Sequence, residues 1–232
     1  MLGFAGVGQH PGARPASLYI LFSGMTMTAP DRKAHWQQVY LSKGEQEVSW
    51  TQASPEPSLG LIETFAPSRQ ASIVDIGGGA SHLVDALCER GYQAVTVLDL
   101  SEAALRNAKQ RLGDRGAGVQ WIAADATSWE PVRPFDLWHD RAAFHFLVDR
   151  HDRQAYVERL NRGVKPGGHA IIATFAPDGP EKCSGLPVQR YDAAALAEAL
   201  GDGFGLIEHQ AHRHVTPWGA VQSFQFSVLR RT

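Results

Sequence analysis

Short apolar runs alternate with amphipathic segments along most of the chain. The apolar runs have the length and composition of buried strands, and they lie at about 72–76, 93–98, 119–123, 135–138 and 169–175. The helical patterns between them lie at about 81–90, 102–112 and 152–162. Strands that alternate with helices in this way predict right-handed crossovers and a parallel sheet with helices on both faces.

The C-terminal part of the chain has a different pattern. A helical segment at 192–201 is followed by two alternating runs, 204–212 and 220–230, which the residues "RHVTPWG" connect. This pattern indicates a hairpin, and therefore an antiparallel strand in an otherwise parallel sheet. We predict an α/β, Rossmann-like sheet of seven strands with the last strand antiparallel and helices on both faces.

The bulk properties narrow the classes of function. The net charge of −2 gives no field that would direct the protein to nucleic acid or to an anionic membrane. No apolar run approaches the roughly 20 residues of a membrane span. The two cysteines, Cys88 and Cys183, lie far apart in the sequence, which argues against a disulfide scaffold and favours a reducing cytoplasm. Residues 1–24 are rich in Gly, Pro and Ala without a period, and we predict a disordered extension there.

A glycine-rich turn and an acid follow the first two predicted strands. In "VDIGGGAS", Gly77 and Gly79 allow a ligand to approach the backbone, and the helix that begins near Ser81 directs its free N–H groups to the same place. A dinucleotide fingerprint would need a third glycine where His82 stands, and the GK[ST] of a phosphate-binding loop is absent. Asp99 ends the second strand, where a carboxylate can accept hydrogen bonds from both ribose hydroxyls. A cofactor with a ribose and no pyrophosphate fits these conditions, and S-adenosylmethionine is such a cofactor.

Five motifs in order resemble the class I S-adenosylmethionine-dependent methyltransferases, over about residues 35–230. They are "VDIGGGAS", "TVLDLS", "WIAADAT", "FDLWHDR" and "VKPGGHAIIATF". The resemblance implies the following cofactor contacts: Asp75, Gly77 and Gly79 beside the methionine part, Asp99 with Leu100 at the ribose, Asp125 at the adenine amino group and Ala126 near the adenine ring.

The segment "HWQQVYLSKGEQEVSWTQASPEPSLGLI" is similar to the N-terminal cover of a bacterial branch of this family, which has an "SW-Q" element. The resemblance implies that Tyr40, Trp50 and Gln52 contact the cofactor from a lid. In the alternative interpretation, the two aromatic residues only anchor a short helix on the sheet. We expect a single domain over residues 25–232, with 25–66 as the lid and 67–232 as the core.

The acceptor site is predicted in "WHDRAAFHFL", immediately after the fourth strand, because ligands of such sheets bind at the carboxyl ends of the strands. The candidate catalytic residues are His139, Asp140, Arg141 and His145, and Phe144 is a candidate acceptor contact. Asp140 or a histidine could take a proton, and Arg141 could orient an anionic acceptor. Alternatively, Asp140 and Arg141 pair to stabilise the turn, and His145 is a satisfied helix histidine. The turn is also similar to that of the thiopurine and small-thiol methyltransferases.

The long loop at 176–192 offers two further candidates for acceptor binding, Cys183 and Arg190. Cys183 could instead be an apolar filler, and Arg190 could serve the start of the next helix. His209, His212 and His214 have no acid or cysteine in register, so we expect solvated edge residues and no metal site.

The most specific hypothesis from the sequence is a methyltransferase for a small-molecule acceptor, with a thiol or another soft nucleophile as the leading candidate. A thiol is already partly ionised near neutral pH, so alignment could supply most of the catalysis. Protein lysine methylation and a non-catalytic cofactor-binding module are the alternatives. We expect no nucleic-acid or membrane partner, and the sequence leaves open whether the protein is a monomer or a homodimer.

Overall fold

The computed structural model describes residues 28–44, 47–52 and 54–232. The predicted disordered extension, residues 1–24, lies outside this part of the chain. Among the described residues, no helix has both the length and the apolar character that crossing a membrane requires.

A seven-stranded sheet organises the described residues. The strands, in chain order, are β1 (Ser72–Ile76), β2 (Ala94–Asp99), β3 (Gln120–Ala123), β4 (Phe135–Arg141), β5 (Val164–Phe175), β6 (Lys182–Cys183), β7 (Leu186–Pro187), β8 (Phe204–Val215) and β9 (Val221–Arg231). The order across the main sheet is β3-β2-β1-β4-β5-β9-β8, and β6 pairs only with β7. Strands β1 to β5 are parallel, whereas β9 is antiparallel to both β5 and β8. The predicted Rossmann-like sheet with a reversed last strand is confirmed.

Helices connect the strands and cover both faces of the sheet. They are α1 (Ala29–Ser42), α2 (Ser58–Phe65), α3 (Leu83–Glu89), α4 (Glu102–Leu112), α5 (Arg150–Gly163) and α6 (Ala193–Leu200). Helix α4 shows how local sequence fixes the ends of a helix. The Ser101 hydroxyl accepts the N–H of Ala104, Glu102 lies in the first turn, and Gly113 with φ of 55° ends the helix.

Two apolar clusters lie on opposite faces of the sheet. Leu137 of β4 belongs to the cluster that contacts α2 and α3, whereas its neighbour Trp138 belongs to the cluster that contacts α5 and α6. Successive side chains of a strand point to opposite faces. His139 and Arg141 therefore share the face of Leu137, and Asp140 shares the face of Trp138.

Several predicted boundaries were wrong. Strand β4 continues to Arg141, so His139, Asp140 and Arg141 lie within the strand and not after it. Strand β5 begins at Val164 and not at 169, and the loop at 176–192 contains the β6–β7 hairpin. The sequence predicted that the strand ends where the polar residues begin. In the structure, His139 and Asp140 have internal hydrogen-bond partners, and the strand continues through them.

Asp140 is the centre of a buried hydrogen-bond network on the face opposite Arg141. Its carboxylate accepts the hydroxyl of Tyr156 (2.6 Å) and the backbone N–H groups of Ala143 (2.8 Å) and Phe144 (3.1 Å). The Tyr156 oxygen in turn accepts the indole N–H of Trp138 (2.9 Å). Burial raises the pKa of Asp140 to about 6. The network fixes the turn after β4 to helix α5.

We expect the Tyr156→Phe variant to be less stable than the wild type at pH 8, where Asp140 is ionised. The substitution removes a hydrogen bond to a charged group, worth about 1.5–3 kcal/mol, and leaves the Trp138 N–H without a partner. Urea unfolding should show a loss of about 2–3 kcal/mol in the free energy of unfolding. The matched control is Tyr92→Phe, which removes one buried hydrogen bond to the neutral carbonyl of Ala66 and should lose about 1 kcal/mol. Equal losses in the two variants would contradict the role of Asp140.

Candidate functional site

A cavity of ≈ 480 Å³ lies at the carboxyl ends of β1, β2 and β4. Its wall combines the glycine-rich turn after β1, the end of β2, the end of β4 and residues of α1 and of the segment 47–52. This is the place in an open α/β sheet where the strand order changes direction and where ligands bind.

The glycines of the turn are required by both space and backbone conformation. Gly77 has φ of 66°, and a Cβ there would lie 3.0 Å from Cβ of Ala143. At Gly79, where φ is 34°, a Cβ would lie 2.6 Å from Oδ2 of Asp99 and 3.2 Å from the hydroxyl of Tyr40. Any side chain at Gly79 would therefore enter the space between the acid and the lid.

Helix α3 begins at Leu83, two residues later than the sequence predicted. The hydroxyl of Ser81 accepts the N–H of Leu83 at 3.1 Å. Ser81 thus satisfies one of the free amides at the helix start, although His82 occupies the N-cap position.

Asp99 is a buried carboxylate at the end of β2. It accepts the backbone N–H of Ser101 (2.7 Å), and its side chain faces Gly79. Burial, reinforced by the nearby charge of Asp75, raises the pKa of Asp99 to about 7. A buried acid with few partners is suited to accept hydrogen bonds from hydroxyl groups of a ligand.

Leu100, Asp125 and Ala126 also line the cavity. One oxygen of Asp125 accepts both the N–H (2.8 Å) and the hydroxyl (2.7 Å) of Thr127, and the other pairs with Arg32 of α1 at 3.1 Å. An adenine amino group would have to share an oxygen that already has a partner. Arg32 also pairs with Asp152 of α5, so it fixes the lid helix to the core.

The predicted lid residues line the cavity. The ring of Trp50 makes edge contacts with the rings of Tyr40 and Trp36, at centroid distances of 6.0 and 5.6 Å. Gln52 also lines the cavity, but its amide donates to the carbonyl of Glu56 (2.9 Å). The two aromatic residues therefore pack against each other and face the cavity, which is compatible with both interpretations of the lid.

His139 lies in the middle of a hydrogen-bonded chain of three side chains. Its Nδ1 is 2.7 Å from Oδ1 of Asp75, and its Nε2 is 2.8 Å from the hydroxyl oxygen of Ser58. Because a carboxylate only accepts, Nδ1 carries the proton and Nε2 accepts from Ser58 in the neutral ring. All three residues line the cavity. Ser58 was missed in the sequence, since nothing in its spacing relates it to His139.

Arg141 lines the cavity at the end of β4. Nη1 donates to the backbone carbonyl of Trp50 at 3.1 Å, and the guanidinium carbon lies 5.0 Å from the ring centroid of Phe224. Nε and Nη2 are buried and have no hydrogen-bond partner within the described ranges. Burial lowers the pKa of Arg141 to about 10. The predicted pair between Asp140 and Arg141 is not formed, because the two side chains lie on opposite faces of the sheet.

Residues 73–168 match the sequence family described as "Methyltransferase domain". These residues hold the glycine turn, Asp99 and Arg141. These residues form a methyltransferase domain. The recognition of this family from the sequence is confirmed, and with it the prediction of an enzyme domain that uses S-adenosylmethionine.

Related proteins agree with this class. Over 134 residues the chain is 31% identical to a trans-aconitate 2-methyltransferase from Rhizobium leguminosarum bv. trifolii (strain WSM2304), covering 57% of this chain and 49% of that protein. The chain thus spans about half the length of this curated relative.

Two solved structures share the fold. One comes from work on the conversion of a disulfide bond into a thioacetal group during echinomycin biosynthesis, with a TM-score of 0.69, 24% identity, and coverage of 86% of this chain and 92% of that chain. The other is the Burkholderia thailandensis 1,6-didemethyltoxoflavin-N1-methyltransferase with bound 1,6-didemethyltoxoflavin and S-adenosylhomocysteine, with a TM-score of 0.65, 19% identity, and coverage of 90% and 93%.

Four of the predicted acceptor-side residues do not line the cavity. Asp140 is enclosed in its network, and Phe144 packs between Tyr156 and Tyr191. His145 accepts the N–H of Phe175 at Nδ1 (3.4 Å), and burial lowers its pKa to about 3, so the ring is neutral. The fourth, Arg190, pairs with Glu181 and the carbonyl of Gly179. These contacts favour structural roles.

Cys183 does line the cavity, and it is almost fully buried. Burial raises the pKa of its thiol to about 11, so the thiol is un-ionised near neutral pH. The sequence reasoning missed the aromatic part of this wall, which is formed by Trp36, Phe146, Phe175 and Phe224.

The expectation for the three histidines of β8 was wrong at one position. His209 is exposed and His212 is half-buried, but His214 is buried and its Nε2 donates to the backbone carbonyl of Ser49. His214 lies opposite the lid segment 47–52, which the sequence could not place next to β8. His214 therefore holds that segment against the sheet.

We expect Asp99→Asn to weaken binding of S-adenosylhomocysteine. The variant loses hydrogen bonds made by a charged group, each worth roughly 1.5–3 kcal/mol, so the Kd should rise about tenfold or more. Isothermal titration calorimetry measures this directly. Asp114→Asn, at an exposed acid outside the cavity, is the control and should bind like the wild type. An unchanged Kd for Asp99→Asn would remove Asp99 from the cofactor site.

The same variant should be more stable than the wild type without ligand at pH 8. The pKa of Asp99 is about 7 in the fold, above its ordinary value of 3.8, so folding favours the protonated acid. Its stabilising contribution is present below about pH 4 and is lost as the pH rises through 7. Asparagine cannot ionise, so the difference in Tm between variant and wild type should grow from pH 5 to pH 8. A constant difference would contradict the raised pKa.

Proposed function

We propose that the protein transfers the methyl group of S-adenosylmethionine to a small-molecule acceptor enclosed in the cavity. The observation that carries the proposal is the continuity of the site. The space between Gly79 and Asp99 opens into the same cavity that Arg141, Cys183 and Phe224 line. One cavity thus contains both the proposed cofactor-binding residues and a largely apolar wall that can contact an acceptor.

The residues present fit the cofactor. We assign Asp99 and Leu100 to the ribose, Asp75 to the methionine part and Ala126 to the adenine ring, and all four residues line the cavity. When bound, S-adenosylmethionine supplies an electrophilic methyl group on a positively charged sulfur. The protein must then hold an acceptor in line with that group and exclude water. Aromatic side chains from the lid and from β5 and β9 form a wall suited to both tasks.

The cavity favours a nucleophile that arrives already deprotonated. Asp140 lies outside the lining, His145 is neutral and covered, and both nitrogens of His139 are engaged by Asp75 and Ser58. The positive charge of Arg141 lies on the cavity wall and stabilises an anion there. An acceptor that is anionic near neutral pH thus needs no further base.

Two nucleophiles meet this condition, a carboxylate oxygen and a thiolate. The carboxylate is fully ionised near neutral pH, and the trans-aconitate relative acts on a small polycarboxylate. We therefore place oxygen of a small acid first. The thiol remains the second candidate, because a few per cent is ionised near neutral pH and Arg141 would increase that fraction. A lysine ammonium is disfavoured, since it would have to approach the buried cation of Arg141.

Incubation with methyl-labelled S-adenosylmethionine and panels of small acids and small thiols tests the proposal. We expect label in a small-molecule product, with transfer by Asp99→Asn reduced about fivefold or more at a cofactor concentration near the wild-type Kd. At saturating S-adenosylmethionine, the rate for an acid should be independent of pH above about 6, whereas the rate for a thiol should rise until the thiol ionises at about pH 8.5.

Each other outcome identifies a different function. Label found only in protein from a lysate would support lysine methylation and contradict the small-molecule acceptor. Tight binding of S-adenosylhomocysteine with no transfer to any panel or lysate component would support a non-catalytic binding module.

A further inference from the structure

Arg141 has fewer partners than a buried guanidinium requires. Of its three nitrogens, only Nη1 forms a hydrogen bond, to the carbonyl of Trp50. Nε and Nη2 have almost no accessible surface and no hydrogen-bond partner within residues 28–44, 47–52 and 54–232. No carboxylate of these residues lies within ion-pair distance of Arg141.

Such an arrangement is unfavourable unless an anion completes it. A buried charge without a counter-ion destabilises the fold, and for this reason buried charges are usually paired. The two acids nearest in sequence and register cannot serve. Asp140 points to the other face of the sheet, and Asp75, whose Oδ1 accepts from His139, is near enough to act on the charge of Arg141 but forms no ion pair with it. Nε and Nη2 therefore have room in their hydrogen bonding for an anion from a ligand.

We propose that Arg141 anchors a carboxylate of the methyl acceptor, separate from the atom that receives the methyl group. This inference rests on the proposed function and specifies its substrate class, a small acid with an apolar body. The guanidinium is a planar fork, and its adjacent Nε and Nη2 match the two oxygens of a carboxylate. The apolar surroundings of Phe224, Phe175 and Cys183 would strengthen this pair and pack the body of the acid.

Arg141 and Asp99 lie on different sides of the cavity, which separates the proposed acceptor site from the proposed ribose site. In the sheet order, β2 with Asp99 lies on one side of β1, and β4, β5 and β9 lie on the other. The guanidinium lies against Phe224 of β9, so it extends away from the strand that carries the ribose acid. A group bound there faces the cavity from the side opposite Asp99.

The nitrogens of Arg141 that would bind the acid are not accessible in the free protein. Nε and Nη2 are covered in the free protein, so a carboxylate reaches them only when a covering group moves. The segment 47–52 is connected to the guanidinium by a single hydrogen bond from Nη1 to a neutral carbonyl, which leaves Nε and Nη2 for the acid. Binding of the acid at these two atoms thus requires a local movement of the groups that cover them.

Calorimetric titration of the protein saturated with S-adenosylhomocysteine tests the anchor. The probes are benzoate, phenylacetate and malonate, each compared with its neutral amide. We expect at least one acid to bind the wild type with a Kd below about 10 mM and its amide to bind about tenfold or more weakly. Arg141→Gln should remove this preference for the acid, while its Kd for S-adenosylhomocysteine stays within about twofold of the wild type.

Two further variants keep the result interpretable. Arg141→Lys retains the charge but not the fork, so the acid should bind with an affinity between those of the wild type and Arg141→Gln. Arg190→Gln is the matched control, since it removes an arginine that lies outside the cavity and already has Glu181 as its partner. It should bind acids like the wild type.

The failures of the two proposals are distinguishable. If the wild type does not bind S-adenosylhomocysteine, the methyltransferase proposal fails. If it binds the cofactor product but no acid better than its amide, or if Arg141→Gln keeps the preference, the anchor is overturned. An equal loss of affinity for S-adenosylhomocysteine in Arg141→Gln would assign Arg141 to the cofactor and also overturn the proposal.

Discussion

The alternation of side chains along the buried strand β4 determines what the site can do. His139 and Arg141 must share one face, and Asp140 must take the other. The register with β1 then places His139 directly beside Asp75. As a result, a run of three polar residues divides into two systems. On the cavity side lie the imidazole of His139 and the guanidinium cation of Arg141, and on the other side lies a carboxylate that fixes the following turn through Tyr156 and two backbone amides.

The cofactor side carries unfavourable electrostatics that only a ligand relieves. Asp99 is buried with a pKa of about 7 and lies against Gly79, where no side chain fits. A fold selected for stability alone would replace this acid by a neutral residue. A similar conflict exists at Arg141, whose charge is buried without a counter-ion among the described residues. Strain of this kind is typical of functional sites, because the binding of a ligand then returns free energy that the fold does not supply.

The parts of the molecule governed by local pattern were predictable. Strand periodicity, the caps of α4 and the glycine turn each depend on residues close in sequence, and they predicted the seven strands, the ends of that helix and the turn that lines the cavity. The acceptor side could be predicted only partly. Counting alternate residues from Leu137 would have separated His139 and Arg141 from Asp140, had the end of the strand been known. Contacts between distant elements, such as Ser58 with His139 or His214 with Ser49, have no signal in the sequence.

The lid segment 47–52 connects the two halves of the site. His214 holds the carbonyl of Ser49, Arg141 holds that of Trp50, and the Trp50 ring packs against Tyr40 above Gly79. A backbone carbonyl is a weak partner for a guanidinium compared with a carboxylate. That weakness is what a ligand site requires. A side-chain carboxylate in the same place would form a buried ion pair that an incoming acid could not displace, whereas a carbonyl lowers the energy of the charge only partly and leaves the planar fork able to take an anion.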